Sequence, residues 1–337
     1  MSMDVPGLRE KIEGHLLHAE GRPVRVASAE VLAGGACQEN FKVELEGGER
    51  WVLRSDARSS LTGSLDRARE LEVIRAAVAA GVKTPPPKWP ATGLLREGAT
   101  SYFLAWRDGE AIGRRVVKSK ELEAARAKLP GELARELAKI HGIRPADHPK
   151  LMDGAVAAAS SFDPAEASLA RLCGRMDMLE PSPSRELIHR WLADHMPARE
   201  DAVLCHGDFR TGNFLVTPDG LSAILDWEFA HWGSRAFDLA WICVRDWRFG
   251  QLALPVGGFA RREPFYAAYE EASGVRLDRA RLHWWEVFGN LAWGVGSVQQ
   301  AHRYISGAES DIELVAIGRR AAEMEFEALR LIEVGRI

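Results

Sequence analysis

The sequence predicts an α+β chain in two parts, a small strand-rich lobe over residues 1–108 and a larger, mainly helical lobe over residues 109–337. Three observations predict it. At 337 residues the chain exceeds the ~250–300 at which a single hydrophobic core stops growing, so two cores are expected. Strand-like apolar runs crowd the first third of the chain. After Asp108-Gly109 helical spacing takes over.

In chain order, Val24 to Leu32, Phe41 to Leu45, Trp51 to Arg54 and Tyr102 to Trp106 read as strands, being short apolar or β-branched runs bounded by turn residues. One helical stretch lies between about Ser64 and Ala80. Pro85-Pro86-Pro87 is extended, which ends that helix and leads into another strand. In the second part Leu133, Leu137 and Ile140 recur at helical spacing, as do Leu239, Ile242 and the aromatic-rich stretch Leu282 to Val298. Within it, Trp285, Phe288, Ala292 and Val295 form a stripe expected to pack in a core. Ala202 to Leu204 and Phe214 to Val216 read as two short strands on either side of a polar octet, and Leu221 to Leu225 delivers Asp226 at a strand end.

Composition excludes several classes. A net charge of −4 gives no electrostatic reason to expect a nucleic-acid partner. The apolar stretches are short and interrupted, so no membrane span is expected, and Met1 to Pro6 lacks a secretion signal. Cys37, Cys173, Cys205 and Cys243 are widely separated, without a C-x-x-C pair, which suits reduced thiols in a cytoplasmic protein.

The octet is His206-Gly207-Asp208-Phe209-Arg210-Thr211-Gly212-Asn213, with Asp226-Trp227-Glu228 beginning eighteen residues after Asp208. Asp and Asn are ordinary turn formers, and one of each in a loop means little. Together with a second Asp at the next strand end they make a set suited to phosphoryl transfer, which needs a carboxylate to take the proton of a hydroxyl and oxygen ligands for magnesium. The spacing follows the protein-kinase pattern H-R-D-x-x-x-x-N then D-F-G, with Gly207 in place of Arg and Trp227-Glu228 in place of Phe-Gly.

With the signature H-G-D-x-x-x-x-N…D-W-E intact, the chain resembles the aminoglycoside phosphotransferase and choline kinase-like family. Further matching pieces run from Val31-Leu32-Ala33-Gly34-Gly35 through Trp51 to Arg54, Arg69-Glu70, Tyr102 to Leu104 and Leu137 to His141, then on to Asp238-Leu239-Ala240-Trp241. The segment from Trp247-Arg248-Phe249-Gly250 to Trp285-Glu286 is similar to the subgroup of kinase-like proteins associated with acyl-CoA dehydrogenases. The resemblance implies a bilobal protein-kinase-like fold, with an antiparallel nucleotide-binding N-lobe and a C-lobe carrying the catalytic loop and acceptor site.

It also implies roles. Asp208 would be the catalytic base, and Asn213 and Asp226 the magnesium ligands. Arg54 would stand where kinases place the lysine that contacts the α- and β-phosphates, with Glu70 as its partner. Ala105 to Arg107 would offer backbone groups to the adenine edge, although an edge strand ending in an Asp-Gly turn reads the same way. Gly34 and Gly35 would let backbone amides approach phosphates. Cys37 replaces the family's Ser in that loop, and a Gly-Gly hairpin turn is the alternative. Asp238 is either a brace for the catalytic loop or a helix N-cap. His206 is expected to be a packed histidine, and Glu228 either touches metal or substrate or is a solvated carboxylate.

The cofactors implied are ATP, with GTP as the other nucleotide choice, and Mg2+. The partner is a small-molecule hydroxyl acceptor, a hydroxyacyl-CoA by resemblance to the dehydrogenase-associated subgroup. The alternatives are an antibiotic-directed aminoglycoside phosphotransferase and a nucleotide-binding scaffold without transfer. Residues 230–310 are expected to form the acceptor wall, with Glu286 and Asn290 as pocket candidates and Arg235 and Arg248 bordering it.

Overall fold

The computed structural model describes residues 7–32, 39–56 and 63–337. The chain divides into two compact units, Met1–Asp108 with Ala223–Ala230, and Gly109–Ser222 with His231–Ile337. Residues 223–230, which the sequence reading assigns to the second part, therefore belong with the first. Hydrogen bonds explain this: Ile224 N–H donates to Lys83 O, Leu65 N–H to Glu228 O, and Trp227 Nε1–H to Thr84 Oγ1. Backbone groups that would be costly to bury unpaired thus find partners in the first unit.

The first unit is one antiparallel sheet with two helices. The strands are β1 (Val26–Val31), β2 (Glu39–Leu45), β3 (Arg50–Ser55), β4 (Pro87–Thr92) and β5 (Thr100–Ala105), in the spatial order β1-β2-β3-β5-β4. Helix α1 (Leu8–Glu20) escapes the sequence reading, because only Leu8, Ile12 and Leu16 carry its apolar face. They pack with Phe41, Val43, Leu53 and Phe103 in the unit's core. Helix α2 (Arg67–Ala79) starts at Asp66, whose side chain accepts from Arg69 N, and buries Arg67, Glu70, Leu71, Ile74 and Ala77 at helical spacing. Two of these are charged. They face the sheet because β3 and β5 answer them: Arg54 lies directly opposite Tyr102 in register, so both side chains leave the sheet on one face.

The second unit is mainly helical. Its elements are α3 (Gly113–Lys118), α4 (Glu123–Ile140), α5 (Gly154–Ala157), α6 (Pro164–Met176), α7 (Pro183–Asp194), β6 (Val203–Cys205), β7 (Phe214–Thr217), β8 (Gly220–Ile224), β9 (His231–Gly233), α8 (Arg235–Trp241), α9 (Arg262–Ser273), α10 (Arg279–Ile305), α11 (Glu313–Gly318) and α12 (Ala321–Val334). The last residues of β8 already belong to the first unit. Helix α10 is capped by Asp278, which accepts from Ala280 N, and its stretch from Leu282 to Val295 is largely buried. The expected stripe of Trp285, Phe288, Ala292 and Val295 lies in this core. No helix among the described residues is long and apolar enough to cross a membrane.

Candidate active site

The octet sits between β6 and β7, and its backbone is fastened from α8. Asp238 Oδ2 accepts from His206 N–H at 2.7 Å and Oδ1 from Gly207 N–H at 3.0 Å. Gly207 has φ 83°, a left-handed conformation suited to glycine. The N-cap of α8 is Ser234, whose side chain accepts from Ala236 N, so of the two readings of Asp238 the brace holds. Asp238 also receives His141 Nε2 at 3.2 Å, while His141 Nδ1 meets Tyr269 O–H at 2.8 Å. A carboxylate only accepts, so Nε2 carries the proton and Nδ1 accepts from the phenol. Burial lowers the His141 pKa against the opposing pull of Asp238, and burial pushes Tyr269 up to about 12, consistent with a neutral pair. Cys205 lies close to His141 and Asp238, but burial raises its pKa and its thiol donates to Ser234 O at 3.2 Å. With Asp238 already accepting from three donors, the trio is a brace and not a metal centre.

At the head of the loop, Asp208 is buried and fully engaged. Oδ1 accepts from Trp241 Nε1–H at 2.7 Å, Oδ2 from Asn213 Nδ2–H at 2.6 Å, and both oxygens from Arg210 Nε–H at 3.0 and 3.1 Å. Asn213 Nδ2 also reaches Asp208 O at 2.9 Å. Since a carboxylate requires a donor, the amide nitrogen of Asn213 must face it, and Oδ1 is turned away from Asp208 as a cation ligand would need. His206 is buried, and its Nδ1 accepts from Asp208 N–H at 3.3 Å, the packed role expected of it.

The first unit holds the other group of predicted residues. Arg54 Nη2 donates to Glu70 Oε1 at 3.0 Å and to Asp226 Oδ1 at 3.1 Å. Tyr102 O–H donates to Glu70 Oε2 at 2.6 Å, and Arg67 bridges Glu70 and Glu228, the latter at 3.4 Å. Two guanidinium groups thus pair with Glu70, Asp226 and Glu228, and the Asp226 carboxylate is an oxygen ligand of the type a hard divalent cation takes. Burial opposes the charge on Arg54, but Glu70, Tyr102, Asp226 and Glu228 together raise its pKa further. Burial, then the neighbouring Asp226 charge, pushes Glu228 up to about 7. Glu228 is buried beside Arg67, so of its two readings the solvated carboxylate does not hold. Asp226 itself has φ 65°, a conformation that costs a non-glycine residue roughly 1–2 kcal/mol and that Asp tolerates better than most.

Among the described residues, Arg54 Nε is buried without a hydrogen-bond acceptor. A phosphate oxygen would supply one, so the arginine fits the nucleotide that the sequence implies. Ala105 closes β5, and its N–H is committed to Pro86 O at 3.3 Å, so it is no donor to a base. Arg107 is exposed just beyond, before Asp108, which pairs with Arg50 at 3.0 Å. Gly34 and Gly35 lie outside the described residues.

Comparison with known proteins decides the family. The model of the phosphotransferase enzyme family matches residues 28–285, more than half of the chain. The chain belongs to that family. Solved structures agree on the α+β kinase-like fold: a protein of Ralstonia eutropha JMP134 assigned provisionally to the aminoglycoside phosphotransferases has a TM-score of 0.71 at 20% identity, covering 96% of this chain and 98% of that one. Spectinomycin phosphotransferase in complex with ADP and spectinomycin gives 0.60 at 13% identity, covering 95% and 98%. An ethanolamine kinase of Plasmodium vivax gives 0.57 at 13% identity, covering 88% and 81%. The mouse acyl-CoA dehydrogenase family member 10 is 36% identical over 64 residues, which span 18% of this chain and only 6% of that protein.

Within this family member, four residues of the two clusters carry contacts that sequence reasoning did not assign: Trp241, Arg210, Arg67 and Tyr102. Trp241 stands one helical turn after Asp238, and Arg67 one turn before Glu70, so the spacing alone offered a signal for both. Two expectations for the acceptor wall are overturned. Glu286 is fully buried and binds Arg248 and Arg262, while Asn290 caps Arg245 N–H and returns Nδ2–H to Glu286 O. Arg248 is also buried, between Glu286 and Glu327. These groups satisfy one another inside the core and present no charge to an acceptor.

Proposed function

We propose that the chain is an ATP-dependent phosphotransferase, with GTP as the other nucleotide choice, acting on a hydroxyl of a small molecule. Asp208 is the base in this reading. The hydroxyl oxygen attacks the terminal phosphorus, its proton passes to an Asp208 oxygen, and the nucleoside diphosphate leaves. Asn213 and Asp226 would be the magnesium ligands, and the metal would supply charge neutralisation on the phosphates. Arg54, kept in place by Glu70 and Tyr102, offers its Nε–H to a phosphate oxygen. The Ala105 to Arg107 stretch and Gly34-Gly35 are the proposed adenine and phosphate backbone contacts, with Arg107 rather than Ala105 as the amide donor.

The observation that carries this reading is the Asp208–Asn213 contact, in which the amide donates to the carboxylate and turns its own oxygen away. Trp241, Asn213 and Arg210 together keep this carboxylate in one orientation, which supports a base aimed at a substrate. For the acceptor, the likeness to acyl-CoA dehydrogenase family member 10 supports a hydroxyacyl-CoA as the first compound class to try. The relatives named for antibiotics support an aminoglycoside panel as the second. Arg248, being neutralised in the core, offers no charge to a polyanionic acceptor. The test is an ADP-release screen of both panels at matched ionic strength, since salt would blur a charge preference. Turnover of a hydroxyacyl-CoA or a neutral alcohol is expected; turnover of aminoglycosides alone would reassign the acceptor.

A further inference from the structure

The hydrogen bonds on Asp208 raise a problem for its proposed task. A carboxylate offers about four in-plane acceptor positions. Trp241 and Arg210 engage Oδ1, Asn213 and Arg210 engage Oδ2. These are three N–H groups, the Arg210 Nε–H being shared across both oxygens, and a substrate hydroxyl that donates to either oxygen competes with that shared donor.

Two of the donors are fixed. Trp241 is buried, with its ring 5.3 Å from Phe237 in a stack and 6.1 Å from Trp247. Asn213 is buried, and its Nδ2–H is also tied to the Asp208 carbonyl. Arg210 is different. Its side chain keeps 26% exposure, its guanidinium lies 4.4 Å over the Trp247 ring, and its other hydrogen bond is a long one, from Nη1–H to Thr211 O at 3.4 Å. The loop also keeps room for it: a Cβ on Gly212 would meet Arg210 Nη1 at 2.7 Å.

We propose that Arg210 gates Asp208, covering the carboxylate in the free protein and moving to an anionic group of a bound ligand when the acceptor hydroxyl takes its place. This rests on the reading of Asp208 as the base. Only an anion replaces the ion pair that Arg210 gives up, because a guanidinium bonds most strongly to phosphate or carboxylate oxygens. Two sources share that chemistry, the terminal phosphate of the nucleotide and an anionic group beside the hydroxyl of the acceptor. Arg210 then selects for whichever ligand carries the charge, while Trp241 and Asn213 keep the uncovered carboxylate aimed.

ATP hydrolysis tests this without the acceptor, since water takes the place of the hydroxyl and its proton passes to Asp208. Arg210→Met keeps an apolar stem over Trp247 and removes the charge. If the acceptor supplies the anion, the parent stays covered in its absence, and the variant is expected to hydrolyse Mg-ATP roughly three- to tenfold faster, a fraction of the usual general-base effect; if the nucleotide supplies it, ATP itself uncovers the parent and the variant is no faster. If the nucleotide supplies the anion, the KM for ATP rises by about fivefold or more in the variant and inorganic phosphate leaves the parent unaffected. If the acceptor supplies it, the KM is unchanged and millimolar phosphate stimulates the parent alone. Arg210→Lys, which keeps the charge but not the planar fork, should lie between parent and Met variant, and it serves if the Met variant folds poorly. Hydrolysis by Arg210→Met and Arg210→Lys no faster than the parent and with an unchanged KM for ATP, while Asp208→Asn is inactive, would overturn the gate and leave the base intact. Parental hydrolysis by Asp208→Asn would overturn both.

Discussion

A single hydrogen bond separates Trp241 from an ordinary core tryptophan. Its Nε1–H reaches Asp208 at 2.7 Å while its ring stacks on Phe237. Trp241→Phe keeps most of the ring packing and removes the donor, so phosphoryl transfer should fall by about tenfold, the equivalent of one hydrogen bond to a charged group. Steady-state kinetics beside a melting curve would check it, and an equal loss of stability and rate would mark the residue as structural only. At Asp226 the left-handed backbone sets a different expectation. Asp226→Asn tolerates the conformation yet loses the charge, and should weaken magnesium-dependent nucleotide binding with little loss of fold. Titrating ATP with and without magnesium reads this directly; unchanged metal dependence would make Asp226 a structural partner of Arg54.

At the scale of elements, α12 and the segment after α8 are joined by a buried ion network. Glu327 receives Arg245, Arg248 and Arg330 at 3.2, 2.9 and 2.7 Å. Burial raises its pKa, but Arg330 and Arg248 outweigh this and hold the group at about 2. The folded value lies below the unfolded one, so the stabilisation is complete above about pH 4.5 and fades as the pH falls through that value toward 2. Glu327→Gln should therefore cost roughly 2–4 kcal/mol at neutral pH by leaving buried arginines uncompensated. The gap between variant and parent should narrow in acid. Chemical denaturation at pH 7 and pH 4 measures both, and a gap independent of pH would contradict the assignment. The sequence reading placed Glu286 and Arg248 of this network at the acceptor wall and did not single out Glu327. Only the packing of α10 against α12 turns Glu286 and Glu327 inward.

For the whole molecule, legibility followed locality. Asp208, Asn213 and Asp226 stood out as one motif spacing, Arg54 and Glu70 only through the family resemblance, and the strands around them were readable because apolar runs are short and bounded. Helix α1 was not, since Leu8, Ile12, Leu16 and the exposed Leu17 among charges give a weak pattern. Nor was the membership of residues 223–230 in the first unit, which depends on hydrogen bonds to Lys83, Thr84 and Leu65 far away in sequence. The most direct measurement of the central claim compares Asp208→Asn with the parent for phosphoryl transfer and Mg-ATP affinity, using an acceptor found in the ADP-release screen. A base acts on the rate, so transfer should drop by ~10²–10⁴ while Mg-ATP affinity stays within about threefold. Transfer at the parental rate by Asp208→Asn would contradict the assignment of Asp208 as the base.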